Sequence, residues 1–330
     1  MDNNGAELFA ESRAFVLSLP KAELHLHLEG AVSPSLLGRL ADRHGAPRPA
    51  CASDAADGYG QFADLAEFLD VYATVCRLMR SPDDFEDTAY ETLRRSALGG
   101  AQHVELFFSP TAHDLTVIDY SAMLDGILAG MRRTQDEFGL TTLLIPAHNR
   151  ELGPERGMAF LDMVLADRRE PVVGIGLDYG ERRHPPAPFA AMFERARAEG
   201  LHVTAHAGED GPADHVRDSI NLLGCRRIDH GYHVVDDPGL MAMCRDLDIL
   251  FTVCPTTTRH TTVWRDLAAP DHAIRRMIEA GLRVCVSSDD PAMFGTDLLG
   301  EYRLLMTEMG LDRQTITRLA ANGLSHSWRS

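Results

Sequence analysis

Eight short apolar runs, each about the length of one buried strand, constrain this chain's fold more than any other feature. They are Glu23 to Leu28, His103 to Phe108, Thr142 to Ala147, Val172 to Leu177, Leu201 to Ala205, Arg227 to His230, Ile249 to Val253 and Leu282 to Val286. Runs of about 4–8 residues suit strands covered on both faces, as in a parallel sheet. The segments between them read mostly as helices. Tyr120, Leu124, Ile127, Leu128 and Met131 share one helical face. Ser81-Pro82-Asp83-Asp84 reads as a helix start, with a Ser cap, Pro in the first turn and acids at the positive end. Strand then helix, repeated eight times, predicts an α/β fold closed into a (β/α)8 barrel of the TIM type. Such a barrel needs roughly 250 residues, so residues 1–330 are read as a single barrel domain. The excess falls mainly between the first and second strands, from Val32 to Gly100. It predicts extra helices covering the barrel mouth, with Asp54 to Gly60 as a polar break among them.

Composition narrows the partners. The formal net charge is -17, which argues against nucleic acid and against anionic membranes. None of the six cysteines forms a C-x-x-C pair, so neither a disulfide framework nor a thiolate zinc site is expected. The first 19 residues are too acidic and too weakly apolar for a signal peptide, and no apolar run approaches the ~20 residues of a membrane span. The expectation is a cytoplasmic protein with reduced thiols.

In such barrels, chemistry collects at the C-terminal ends of the strands. His25 and His27 are two apart on the first strand, so both imidazoles can face the axis. A lone buried histidine is usually a satisfied core group; two on one inward face at a strand end point to a metal. The fifth strand leads into His206-Ala207-Gly208-Glu209, the sixth ends Asp229-His230-Gly231, and the eighth leads into Ser288-Asp289-Asp290. Three imidazoles and a carboxylate, from His25, His27, His206 and Asp289, suit Zn2+ with a position left for water. The ion would lower that water's pKa and make a nucleophile. Glu209, three residues past a ligand, suits a proton shuttle. His230 suits orienting water, and Asp290 faces the substrate. Glu29 and Gly30 are candidate substrate contacts. Asp178 and Glu181 after the fourth strand each read as a pocket group or a surface charge. Phe62, Leu65, Phe68 and Leu69, at helical spacing, read first as core. His103 reads as structural, at the end of its strand away from the site, and His233, His260 and His272 have no assignable partner.

At these residues the sequence resembles the adenosine/adenine deaminase family of the amidohydrolase superfamily. The resemblance is carried by PKAELHLHLEG, TAHAGED, RIDHGYH, TVCP and SSDDPAMFGTDL, in order over nearly the whole chain. It implies one Zn2+ per chain held by His25, His27, His206 and Asp289. It also implies proton donation to the ring by Glu209, help to the attacking hydroxide from His230, and a bond from Asp290 to the imidazole side of a purine. The expected reaction is hydrolytic deamination of a 6-aminopurine, a small-molecule substrate such as adenine, adenosine or a close derivative. VVGIGLDYGE and AHAGEDGP look most like the adenine branch. Tyr179 stands where the adenosine branch has a glycine that meets the ring, and CPTTTRH replaces the common CPxSN. FGTDL is closer to members accepting nucleosides, which brings in larger substrates such as aminodeoxyfutalosine or an N6-substituted adenine. Two rivals fit less well. A two-metal relative would need a carboxylated lysine on the fourth strand, and Lys21 is the only lysine. A non-catalytic purine-binding relative would be expected to have lost Glu209 or a ligand.

Overall fold

The structure, a computed structural model, describes residues 3–52, 59, 62 and 65–329. The polar break from Asp54 to Gly60 lies, Tyr59 apart, outside the described residues.

Each apolar run forms a strand. They are β1 (Lys21–His27), β2 (Ala101–Phe108), β3 (Thr141–Asn149), β4 (Gly174–Asp178), β5 (His202–Ala207), β6 (Arg227–His230), β7 (Leu250–Val253) and β8 (Arg283–Val286). They pair in parallel, in sequence order, within one eight-stranded sheet. Closure between β8 and β1 comes just past β8. Asp289 O accepts from His27 N at 2.8 Å, and Asp289 N donates to His25 O at 3.1 Å. The Ser287 hydroxyl accepts from the backbone N–H groups of Leu24 and His25, each at 3.2 Å. The seam is thus made by the His25–His27 strand end and the residues just past β8. β4 begins two residues later than its apolar run, because Val172 meets β3 only through an isolated bridge to Leu144.

The long connection after β1 forms helices at Pro34–Arg43, Leu65–Leu78 and Pro82–Leu98. The first is capped by the Ser33 hydroxyl, which accepts from Leu36 N at 3.2 Å. At the start of the third, the Asp84 carboxylate accepts from the N–H groups of Arg80 and Ser81, each at 2.8 Å, satisfying donors the helix leaves open. Helix Leu65–Leu78 carries Phe68, Leu69 and Tyr72 to the mouth of the barrel. Helix Tyr120–Phe138 buries Tyr120, Leu124, Ile127 and Met131, as its spacing predicts. It packs closely at Gly126, where a Cβ would lie 2.1 Å from Pro82 O.

At the barrel floor, Glu105 of β2 and Arg227 of β6 form a fully buried ion pair at 2.5 Å. Trp328 N donates to the same carboxylate at 2.5 Å, and the Trp328 ring lies 4.0 Å from the Arg227 guanidinium. His103 sits at this end, bonded to Thr141, in the structural role read from its position. Lys21 also lies here, its Nζ donating to Val16 O at 2.8 Å, at the opposite end from the catalytic rim. No described helix is long and apolar enough to cross a membrane.

Candidate active site

The C-terminal ends of β1, β5 and β8 bring four side chains to one point. His25, His27 and His206 aim their Nε2 atoms at each other, with all three separations 3.1 Å. Asp289 Oδ1 lies 3.2 Å from His25 Nε2 and 3.5 Å from His27 Nε2. Three ring nitrogens so close cannot all be satisfied by one another, since each neutral imidazole has one donor and one acceptor nitrogen. Ligand atoms around a tetrahedral ion with bonds of about 2.0–2.1 Å stand about 3.3–3.4 Å apart, so these residues fit a divalent metal. A looser grouping of His25, His206, His230 and Asp289 keeps its ligand atoms within 4.8 Å. There His230 stands 3.9 Å from Asp289, outside the tight set and beside it.

The surroundings prepare the imidazoles as ligands. His25 Nδ1 lies 2.9 Å from the Thr252 hydroxyl, which itself donates to Asp229 Oδ1 at 3.0 Å. The hydroxyl therefore accepts from His25 Nδ1–H, leaving the Nε2 lone pair for the centre. Burial pushes His27 down to about 4, helped by the charge of His25. Burial and the other imidazoles hold His206 well below its ordinary value. His25 moves up: burial opposes this, but Asp289 and Asp229 outweigh it. The cluster demands positive charge at its centre.

A cavity beside the cluster is lined by His27, Glu209, His230, Asp289 and Asp290 together with Phe68, Leu69, Tyr72, Asp178, Tyr179 and Phe294. The aromatic wall is continuous. Phe294 stacks on Phe68 at 5.3 Å, Phe68 meets Tyr72 at 5.8 Å, and Tyr72 meets Tyr179 at 5.8 Å. Glu209 Oε2 is 3.5 Å from His230 Nε2. Burial, then the charge of Asp289, pushes Glu209 up to about 8, the direction that favours its protonated form. Burial pushes His230 down to about 3, which keeps it neutral. Burial likewise raises Asp178 to about 7, and its Oδ1 has no partner; Asp290 also moves up and has an unpartnered Oδ1. Both residues line the cavity, and a buried carboxyl oxygen without a partner at a cavity is the kind of group a polar ligand engages.

The adenosine deaminase family model matches residues 20–330. The chain belongs to that family. An adenine deaminase of Bordetella avium is 39% identical over 94% of this chain and 98% of its own length. The crystal structure of an adenine deaminase from Arthrobacter aurescens superposes with a TM-score of 0.86 at 33% identity, covering 95% of each chain. An amidohydrolase from Burkholderia ambifaria, solved with bound zinc, gives a TM-score of 0.89 at 35% identity over 96% of this chain and 88% of that one.

Within this family member, most of the residues read from the sequence gather at the cavity, with instructive exceptions. Glu29 and Gly30, expected to touch substrate, stand behind the wall. The Glu29 oxygens are taken by Ser109 N and His113 Nε2 at 3.0 Å each and by Tyr72 OH at 3.1 Å. Gly30 makes room for Asp290, whose Oδ1 would lie 1.6 Å from any Cβ there. Phe68 and Leu69, read first as core, line the cavity, while Phe62 packs against Phe68 and Phe294. The side chain of Leu65 lies outside the description. His260 stacks on Phe294 at 4.8 Å, His233 pairs with Asp236 and His272 caps helix Ala273–Glu279.

Other contributors went unread. Thr257, in the unusual CPTTTRH segment, donates to the second oxygen of Asp289 at 2.8 Å. Ser109 donates to Asp178 Oδ2 at 2.5 Å. Tyr179, His230 and Asp289 have φ of 68°, 66° and 62°, in the left-handed region where a large side chain is strained. The Tyr179 position thus keeps a glycine-like backbone while carrying an aromatic side chain into the pocket.

Proposed function

We propose that this chain catalyses hydrolytic deamination of a 6-aminopurine, adenine first among them, releasing ammonia. The proposal includes one zinc ion per chain on His25, His27, His206 and Asp289. The observation that carries it is the meeting of three converging imidazoles and Asp289 with a buried Glu209 in one aromatic-walled cavity. Relatives named adenine deaminase, matched over nearly their full length, support the same reading.

A zinc ion there, when bound, makes water acidic enough to supply a nucleophile near neutral pH. The chain does the rest. Glu209 gives its proton to the ring nitrogen beside the carbon under attack, which draws electron density away from that carbon. His230, neutral and 3.5 Å from Glu209, holds the attacking oxygen by a hydrogen bond and is placed to take its proton. Returned to the amino group, that proton lets it leave as ammonia as the carbon–nitrogen bond breaks, and the remaining hydroxyl proton passes to the Glu209 carboxylate as the carbonyl forms, restoring the acid. Asp290 bonds the imidazole edge of the purine through its unpartnered oxygen. Asp178, steadied by Ser109, bonds the opposite edge. Phe68, Tyr72, Tyr179 and Phe294 exclude water around the ring. Tyr179 fills space along the β4 side of the pocket, which favours a free base over a nucleoside.

Ammonia release from zinc-loaded protein tests this reading, with adenine, adenosine, deoxyadenosine, methylthioadenosine, aminodeoxyfutalosine, N6-substituted adenines, guanine and cytosine as substrates. Adenine is expected to turn over fastest. A nucleoside or N6-substituted adenine turning over faster would replace adenine as the substrate, and turnover of cytosine alone would overturn the purine reading. Glu209→Gln is expected to keep its metal and lose about 10²–10⁴-fold in kcat; undiminished turnover would remove Glu209 from its role.

A further inference from the structure

Glu181 is buried to within 1% of complete exclusion from solvent, three residues beyond β4, and does not line the cavity. Its carboxylate nevertheless collects four consecutive backbone donors from the loop that carries Glu209. Oε1 accepts from Glu209 N at 2.7 Å, Asp210 N at 3.0 Å and Gly211 N at 2.5 Å; Oε2 accepts from Gly208 N at 2.9 Å. Successive N–H groups that converge on one point form an anion-binding nest. Without an anion, four buried donors would face each other, and the loop would have to open to satisfy them. The loop is built for this contact. Gly208 sits at φ +72°, and a Cβ at Gly211 would lie 2.8 Å from the Glu181 carboxyl carbon and 2.4 Å from His215 Nδ1.

Arg150 and His215 stand near the same carboxylate without closing on it as the loop donors do. Arg150 approaches Glu181 only to 3.9 Å and spends its donors on the carbonyls of His206, Leu177 and His184. His215 stands at 3.6 Å. Burial opposes ionisation of Glu181, but His215, Arg150 and the loop donors hold it down at about 2. The charge is therefore present throughout the working range of pH.

We propose that Glu181 is a positioning residue for the reaction: it is the anion around which residues 208–211 fold, and it thereby sets the carboxyl of Glu209 against the substrate. The proposal rests on the reading of Glu209 as proton donor. Glu181 reaches no reacting atom. It acts through the backbone of the residue that does, and its second effect is to keep a fixed negative charge close to a carboxyl that must stay protonated.

Glu181→Gln preserves size but replaces one acceptor by a donor, so at least one loop N–H meets an N–H. The expected result is a loss in kcat of about 10²-fold, the scale of a small misplacement of a reacting group, with KM changed less than about threefold and metal content per chain kept. The deciding comparison repeats the substitution in a Glu209→Gln background. If Glu181 works through Glu209, the second substitution lowers residual turnover by less than about threefold there, because the group it positions has already gone. An equal loss in both backgrounds would make Glu181 a general structural element and overturn the proposal, as would parental kcat in the single variant. Should Glu181→Gln fail to fold, Glu181→Asp carries the same comparison: it keeps the buried charge but is too short to span Gly208 and Gly211 together. Full turnover in Glu209→Gln alone would instead sink the reading of Glu209, which the single variants distinguish from failure of the positioning role.

Discussion

The barrel buries ionisable groups at both ends, and the two ends treat them in opposite ways. At the floor Glu105 meets Arg227 and the Trp328 N–H, and the Trp328 ring covers the guanidinium, while Arg227 Nε and His103 Nε2 make no hydrogen bond. At the mouth three imidazole nitrogens crowd one another, two carboxyl oxygens lack partners, and burial pushes Glu209 well above the usual carboxyl range, to about 8. Three of the four described non-glycine residues in left-handed conformations, Tyr179, His230 and Asp289, lie at the mouth; the fourth, Asp248, precedes β7 at the other end. The floor is arranged to be stable as it stands. The mouth is complete only when a cation and a ligand are added, which is the pattern expected where local consistency yields to function.

The sharpest way to break this contrast is His25→Ala. It removes the imidazole that faces two other Nε2 atoms and Asp289. Metal and turnover are expected to disappear together, activity by roughly 10⁴-fold or more, while the melting temperature of the apoprotein stays the same or rises as crowding is relieved. Metal per chain and ammonia release are the measurements. Full occupancy would take His25 out of the ligand set.

The floor predicts the reverse. Arg227→Met strands the Glu105 charge and should destabilise the fold by about 3–5 kcal/mol, with kcat per folded molecule unchanged. Adding Glu105→Gln should recover much of that loss, since replacing both members of a buried pair is far less damaging than removing one. Denaturant midpoints for the single and double variants measure it. A double variant as unstable as the single would mean that the Trp328 contact, more than the ion pair, secures the floor.

The same contrast explains what could be read without coordinates. The strands were legible because a barrel strand is apolar on both faces, and the His25–His27 pair because alternation puts both on one face. What a carboxylate meets was not. Asp178 ends β4 and Glu181 follows three residues later, and the two look alike in sequence, yet Asp178 lines the cavity while Glu181 is enclosed by backbone N–H groups. Those donors come from a loop about 28 residues away, and no pattern in the sequence marks a main-chain amide as aimed at an acid. The partners of Glu29 were equally hidden: Ser109 and His113 arrive from beyond β2. Thr252 and Thr257 carry no periodic signal at all, since a hydroxyl supporting a ligand looks like any strand or helix threonine.

Thr252→Val tests one such silent residue with a smaller effect. Valine keeps the shape but breaks the chain from His25 Nδ1 through the hydroxyl to Asp229. Metal affinity should weaken by about 10–100-fold, with kcat near parental when the site is saturated. Unchanged affinity would show that His25 keeps its tautomer without this bond.

The mildest perturbation, pH, should separate the two ends without any mutation, because their acids are shifted in opposite senses. Glu209 is pushed up to about 8, chiefly by burial. It must hold its proton to act, so kcat should be level below that value and fall toward tenfold per unit above it. Glu105 is held below its ordinary value of 4.5: burial opposes this, but Arg227 and His103 prevail. Its contribution to stability is complete above its unfolded pKa and is lost as pH falls through the lower folded value. Raising the pH from 7 to 9 should thus cost turnover while the floor stays intact, and lowering it toward 4 should cost stability while Glu209 stays protonated. Paired profiles of kcat and melting temperature check both limbs. The assignment rests on Glu209→Gln, whose residual turnover should lose the alkaline limb while its acid-side melting profile follows the parent. An alkaline limb that survives in that variant would belong to another group at the mouth, and the opposition between the two ends would then have to be argued from geometry alone.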